Sequence, residues 1–157
     1  MAETRRRHDG KRKGRSVQRQ RALDVLFEAD AKQIAPESLE ELLNGRKVVS
    51  TAQQPIGDYG VQIVRTYANW ADDVDSMIEA ASPAWSVSRM SAVDRNLLRI
   101  GAVELMYLEV DKPIVVTEIA NLARDFSTDK AVGFVMGVLN RIDEIRRAET
   151  AGKSGDS

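Results

Sequence analysis

The residues that decide the fold are VDRNLLRIGAVELMYLEVDKPIVVTEIANLARDFSTDKAVGFVMGVLNRI, at positions 93–142. Apolar residues in this stretch recur at spacings of three and four, as on the buried face of an amphipathic helix. The apolar run IVV at 114–116 is too short for a strand and follows a proline. The stretch therefore predicts three consecutive helices, with Gly101 permitting close helix packing inside the first of them.

Local signals mark the boundaries of these three helices. Ser91 stands where an N-cap would precede the first helix, and Asp94 follows three residues later as an Asp variant of the capping box. Pro113 suits the first turn of the second helix, and residues 127–129 supply hydroxyl and carboxylate groups that cap the third. The predicted helix ends lie near Leu108, Phe126 and Arg147.

The residues before this stretch carry the same helical periodicity. The predicted elements are a helix at 17–32 capped by Ser16, a short helix from Pro36 to Gly45, and a long helix from Ile56 to Ala81 that breaks near 69–72. Pro83 ends the last of these, because proline restricts the residue before it. The chain of 157 residues thus predicts an all-α bundle of six or seven helices.

Charge is distributed very unevenly along the chain. The formal net charge is −1, but residues 1–21 hold nine Lys or Arg and two acids, so that this segment carries +7 and the remainder −8. Residues 1–15 have almost no apolar side chains and are expected to be disordered when free, as is the tail at 149–157. The predicted organisation is a basic arm at 1–15, a helical domain at 16–148 and a short tail.

The basic arm has two interpretations. Lys and Arg neutralise phosphates and release counterions, and arginine-rich segments often fold on RNA, which favours a nucleic-acid contact. The alternative is a protein interaction or oligomerisation module whose arm only solubilises the chain or touches acidic protein. Arg15 and Arg19, four residues apart at a helix start, favour the first, because cations there oppose the helix dipole and need an anion.

Composition argues against catalysis and against metal or cofactor binding. The chain has no cysteine, and its one histidine, His8, lies in the arm, so neither a nucleophile–base pair nor a His-based zinc site can be assembled. The acids Asp72, Asp73 and Asp75 are expected to be a solvated helix surface, and residues 10–16 lack the spacing of a phosphate loop. No apolar run is long enough to span a membrane, and a cytoplasmic location is expected.

The C-terminal half strongly resembles the NusB family of transcription antitermination factors. The resemblance rests on VDRNLLRIGAVELMYLEV, on TEIANLARDFS and on FVMGVLNRI, and extends to Arg15, Arg19, Ala22 and Leu26-Phe27 near the N-terminus. It covers residues 15–147. Thr117 and Met136 stand where the family usually has Asn, and Lys130 where an acid is frequent.

This resemblance implies a bundle of about seven helices in two perpendicular three-helix subdomains. It also implies binding of boxA RNA together with NusE, a small-subunit ribosomal protein, and loading onto RNA polymerase with other Nus factors, chiefly at rRNA operons. No catalytic activity is implied, and the family includes both monomers and homodimers.

The candidate RNA-binding residues combine the arm with positions that match the family's RNA-contacting surface. Lys130 would add a phosphate contact. Phe126 and Phe134 flank a loop that could stack a base, and the alternative is that both are core residues. The full set is Arg5, Arg6, Arg7, Lys11, Arg12, Lys13, Arg15, Arg19, Phe27, Asp94, Phe126, Lys130 and Phe134.

Overall fold

The computed structural model describes residues 13–47 and 55–155. These residues form six α-helices and no strand, so the predicted all-α class is confirmed. The helices are α1 (Arg15–Ala31), α2 (Leu39–Arg46), α3 (Asp58–Ala81), α4 (Ala92–Met106), α5 (Lys112–Phe126) and α6 (Asp129–Gly155). Two single 3₁₀ turns, Pro36–Ser38 and Val87–Arg89, precede α2 and α4. Among the described helices, none combines the length and apolar character needed to cross a bilayer.

Helix α4 lies at the centre of the bundle. It packs against α1, α3, α5 and α6, and its apolar side chains Leu97, Leu98 and Ile100 have no exposed surface. Gly101 lies among them as expected. A Cβ at this position would come within 2.5 Å of Leu139 Cδ2 on α6, so the absent side chain is what allows these two helices to approach.

Some helix ends follow the predicted signals and others do not. Ser91 does cap α4, since its Oγ accepts a hydrogen bond of 3.1 Å from the backbone N–H of Asp94. The prediction for Ser16 was wrong, because α1 begins two residues earlier than predicted, at Arg15, and Gly14 occupies the N-cap position with φ +56°. Gly45 does not end α2, which continues to Arg46.

Helix α3 bends where the sequence predicted a break. Trp70 has φ −128° and ψ 27°, which interrupts the helical geometry inside an element that otherwise continues from Asp58 to Ala81. The Trp70 ring stacks on Tyr107, with centroids 5.3 Å apart. The bend therefore brings an aromatic residue of α3 against the end of α4.

The last helix is longer than predicted. Helix α6 continues past Arg147 to Gly155 instead of giving way to an irregular tail at residue 149. Ala148, Glu149 and Ala151 are strong helix formers, and the sequence has no proline after Pro113 to stop them.

Candidate nucleic-acid interface

The start of α1 presents two exposed cations beside the basic arm. Lys13 and Arg15 are exposed on either side of Gly14, whose left-handed backbone turns the chain into the helix. The Arg15 guanidinium carbon lies 4.5 Å from the centroid of the Tyr59 ring. The other predicted arm residues, Arg5, Arg6, Arg7, Lys11 and Arg12, lie outside the described residues.

Arg19 does not share this exposed surface, contrary to the expectation that it would line one face with Arg15. Only 2% of its surface is exposed, and its Nε and Nη2 each donate a hydrogen bond of 2.8 Å to the carboxylate of Glu104, which is fully buried. Glu118 adds a second carboxylate at 3.4 Å. The anion that this arginine required is therefore supplied by the protein, which makes Arg19 part of the core.

The buried pair is tied to Tyr59 on α3. The Tyr59 hydroxyl donates to Glu104 Oε2, and burial followed by the nearby Glu104 carboxylate raises the pKa of this tyrosine well above its ordinary value. Burial alone would lower the pKa of Arg19, but the hydrogen bond and charge of Glu104 outweigh it and raise that pKa. Because both pKa values are raised, Arg19 is charged and Tyr59 is neutral near neutral pH.

Two further side chains fasten α1 to its neighbours. Ser16 Oγ donates a hydrogen bond of 2.6 Å to Glu118 of α5. Gln18 Oε1 accepts hydrogen bonds from the backbone N–H groups of Gly57 at 2.7 Å and Gly60 at 3.3 Å, so a side chain of α1 caps the start of α3. The first turn of α1 is consequently held by three other helices.

Sequence reasoning missed most of this network. No local sequence motif predicts the hydrogen-bond partners of Gln18, Tyr59 and Glu118. Glu104 does carry a signal, because it is the one acid in the apolar run from Ile100 to Met106, and a buried carboxylate needs a cationic partner.

The second group of predicted residues surrounds the turn between α5 and α6. Ser127 Oγ donates a hydrogen bond of 2.7 Å to Asp94 Oδ1, which links this turn to the start of α4. Thr128 caps α6 by accepting from the backbone N–H of Ala131 at 3.2 Å. Lys130 is exposed beside it. Asp94 therefore holds the turn that precedes α6, the helix on which Lys130 lies.

Three phenylalanines complete the predicted set. Phe126 and Phe134 flank this turn and pack partly buried against the core, whereas Phe27 is 44% exposed on α1. Asp30, one turn beyond Phe27, accepts from Arg95 at the start of α4 at 2.8 Å. Phe27 thus lies in the half of α1 whose residues contact the start of α4.

The predicted residues form two groups, one at each end of α1. Lys13 and Arg15 lie at its start, whereas Phe27 lies near its end, three residues before Asp30, which contacts the start of α4. Twelve residues of helix separate Arg15 from Phe27, which corresponds to about 18 Å along the axis. A ligand that touches both groups must therefore be extended.

The predicted acidic surface of α3 is partly engaged inside the protein. Asp72 and Asp73 are exposed, but Asp75 accepts hydrogen bonds of 3.0 Å from Arg99 and is also bonded to Tyr67. A cavity of about 320 Å³ between α1, α3 and α4 is lined in part by Asp75, Tyr67 and Arg99, whose polar groups pair with one another. No group of three or more residues suited to a metal ion occurs in the described part of the chain.

A family model and individual relatives of known name both place this chain in the same family. The model of the NusB family matches residues 16–144. The transcription antitermination protein NusB of Streptomyces griseus is 35% identical over 136 residues, which are 84% of this chain and 93% of the relative. That of Kineococcus radiotolerans is 39% identical over 134 residues, which are 85% and 95% of the two chains.

A solved structure agrees with these relatives. The crystal structure of the antitermination factors NusB and NusE in complex with dsRNA contains a chain that is 29% identical, with a TM-score of 0.67 over 83% of this chain and 96% of that one. The sequence matches and the structural match both span most of the molecule. The chain therefore belongs to the NusB family of transcription antitermination proteins.

Proposed function

We propose that this protein binds boxA RNA together with NusE and thereby supports processive transcription of rRNA operons. One observation carries the proposal: the first 21 residues hold nine basic residues, whereas the rest of the chain is acidic. Two of the nine, Lys13 and Arg15, are exposed at the start of α1. The NusB chain of similar fold that was solved with NusE and RNA supports the same conclusion.

The proposed contact uses both ends of α1. The arm at residues 1–15 neutralises phosphates, and Lys130 adds a cation at the turn before α6. Phe27, with Phe126 and Phe134 beside the turn, offers aromatic surface for unstacked bases. Asp94 contributes by holding the turn through Ser127, and Arg19 by holding the first turn of α1.

The proposed partners rest on the net charge of the chain outside the basic arm and on its membership of the NusB family. Outside residues 1–21 the chain carries −8, which discourages RNA elsewhere and suits a basic ribosomal protein such as NusE. We place the assembly on RNA polymerase with other Nus factors, in the cytoplasm. We propose a homodimer as an alternative assembly that would cover the RNA-binding surface.

The test is binding of fluorescently labelled boxA RNA by the full chain, with and without NusE. A scrambled RNA of the same base composition is the matched control. We expect boxA RNA to bind at least tenfold more tightly than the scrambled RNA when NusE is present. Equal binding of the two RNAs, or no binding of either with NusE present, would contradict the proposal.

A further inference from the structure

We infer that Tyr59 is a positioning residue for RNA binding, because its ring holds the Arg15 guanidinium at the start of α1. This inference rests on the proposed RNA-binding function. Tyr59 belongs to α3 and stands outside the candidate RNA-binding set. Its role follows from contacts between helices.

Two arginines share the Tyr59 ring, and only one of them is available to a ligand. Arg19 lies 5.8 Å from the ring centroid and is buried against Glu104, whereas Arg15 lies at 4.5 Å and is exposed. Among the described residues Arg15 has no carboxylate within ion-pair distance. The ring therefore contacts one cation that Glu104 neutralises and one that no carboxylate of the described residues neutralises.

The contact with the Tyr59 ring leaves the N–H donors of the Arg15 side chain without a hydrogen-bond partner among the described residues. A guanidinium on an aromatic ring uses its face for the contact, so its N–H donors remain directed outward in the plane. Those donors match the oxygens of a phosphate, and the opposite face can stack on an RNA base. Tyr59 thus orients Arg15 and leaves its N–H donors available to bind RNA.

Tyr59 is itself fixed in place. Its hydroxyl donates to Glu104, which Arg19 locks by two hydrogen bonds of 2.8 Å. Gln18 caps the adjoining start of α3 at Gly57 and Gly60. Because the ring cannot swing away, Arg15 loses less conformational freedom when it binds RNA than a free side chain would.

A double-mutant cycle tests this role. Tyr59→Leu, Arg15→Ala and the double variant are compared for binding of boxA RNA by the full chain with NusE present. A cation–π contact at an exposed site is worth about 0.5–1 kcal/mol, so we expect Tyr59→Leu to weaken binding about two- to fivefold. In the Arg15→Ala background the same change should have no effect.

Two further variants separate positioning from loss of structure. Tyr59→Phe keeps the ring and removes the hydroxyl, so RNA affinity should remain within about twofold of the wild type. Tyr67→Leu is the matched control, since Arg99 stacks 4.9 Å from the Tyr67 centroid within the α1–α3–α4 cluster. This control should lower the free energy of unfolding and leave RNA affinity unchanged.

Each outcome has a distinct meaning. A penalty that disappears without Arg15 supports the inference. The same penalty in both backgrounds, or no penalty in either, overturns it while leaving the RNA-binding function intact. If Tyr59→Leu fails to fold, Arg15→Lys decides: it keeps the charge but loses the planar stack, so about twofold weaker binding supports the inference and wild-type affinity overturns it. No RNA binding by the wild-type chain overturns the proposed function as well.

Discussion

Arg19 shows how one side chain can be assigned differently by sequence and by structure. Its spacing from Arg15 predicts a phosphate contact, but its guanidinium is buried against Glu104. We expect Arg19→Ala to lower the free energy of unfolding by about 3–5 kcal/mol, because it leaves a buried carboxylate without its counter-charge. Denaturation by urea, followed by circular dichroism, measures this loss.

An exposed ion pair provides the control for this prediction. Arg65 pairs with Glu40 across the surface between α3 and α2, and about half of each side chain is exposed. Arg65→Ala should therefore cost less than about 1 kcal/mol. Similar losses for the two variants would mean that Arg19 is not the buried anchor described above.

At the scale of the helices, alanine substitutions at a closely packed glycine and at an open one should have opposite effects on stability. In Gly101→Ala the new methyl would meet Leu139 between α4 and α6. Overpacking costs about 1–3 kcal/mol and the gain in helix propensity returns about 1 kcal/mol, so we expect a net loss near 1 kcal/mol. Thermal and urea unfolding both report it.

Gly137→Ala is the matched substitution on an open helix face. A Cβ at Gly137 of α6 has no heavy atom within 4 Å. We expect this variant to be up to about 1 kcal/mol more stable than the wild type, because only the propensity term remains. Stabilisation by Gly101→Ala as well would contradict the close packing of α4 on α6.

The contact between α1 and α2 should depend on pH. Arg46 of α2 and Lys32 hydrogen-bond Glu28 of α1, and the Arg46 bond in particular lowers the pKa of Glu28 below its ordinary value of 4.5. A lowered pKa contributes stability that is present above the ordinary value and is lost as pH falls through the shifted one. The stability difference between the wild type and Glu28→Gln should thus be largest near neutral pH and shrink below pH 4.5.

Urea titrations at several pH values measure that difference. Glu41→Gln serves as the control, since Glu41 is exposed on α2. Replacing this exposed side chain should change the free energy of unfolding by less than about 0.5 kcal/mol. A Glu28→Gln difference that persists unchanged at acidic pH would exclude the ionised carboxylate as the link.

Helix ends could be predicted where the signal is local and could not where the partner is remote. Ser91 and Pro113 act within one turn of their own helices, so their patterns identify the starts of α4 and α5. Ser16 has the residue type of an N-cap but donates instead to Glu118, more than one hundred positions along the chain. The side chain of Gln18 caps a different helix altogether.

At the scale of the whole molecule, the charge asymmetry predicts the class of partner, but it does not predict which side chains form the binding surface. The sequence alone predicts a basic arm on an acidic body, because charge can be counted without a fold. It cannot show that Arg19 is neutralised while Arg15 has no carboxylate partner among the described residues, since both depend on the packing of α1 on α3 and α4. The two-ended arrangement along α1 likewise requires the three-dimensional structure.

The central claim is that the basic arm binds RNA, and the salt dependence of RNA affinity tests it most directly. The full chain and a chain lacking residues 1–14 are compared for boxA RNA with NusE present. If about five phosphates are neutralised, the log–log slope for the full chain should be about −3.5, using ~0.7 per phosphate for a single strand. Truncation should flatten this slope and weaken binding at least tenfold, with helix content unchanged. Identical slopes and affinities for the two chains would contradict the claim and favour a protein interaction module instead.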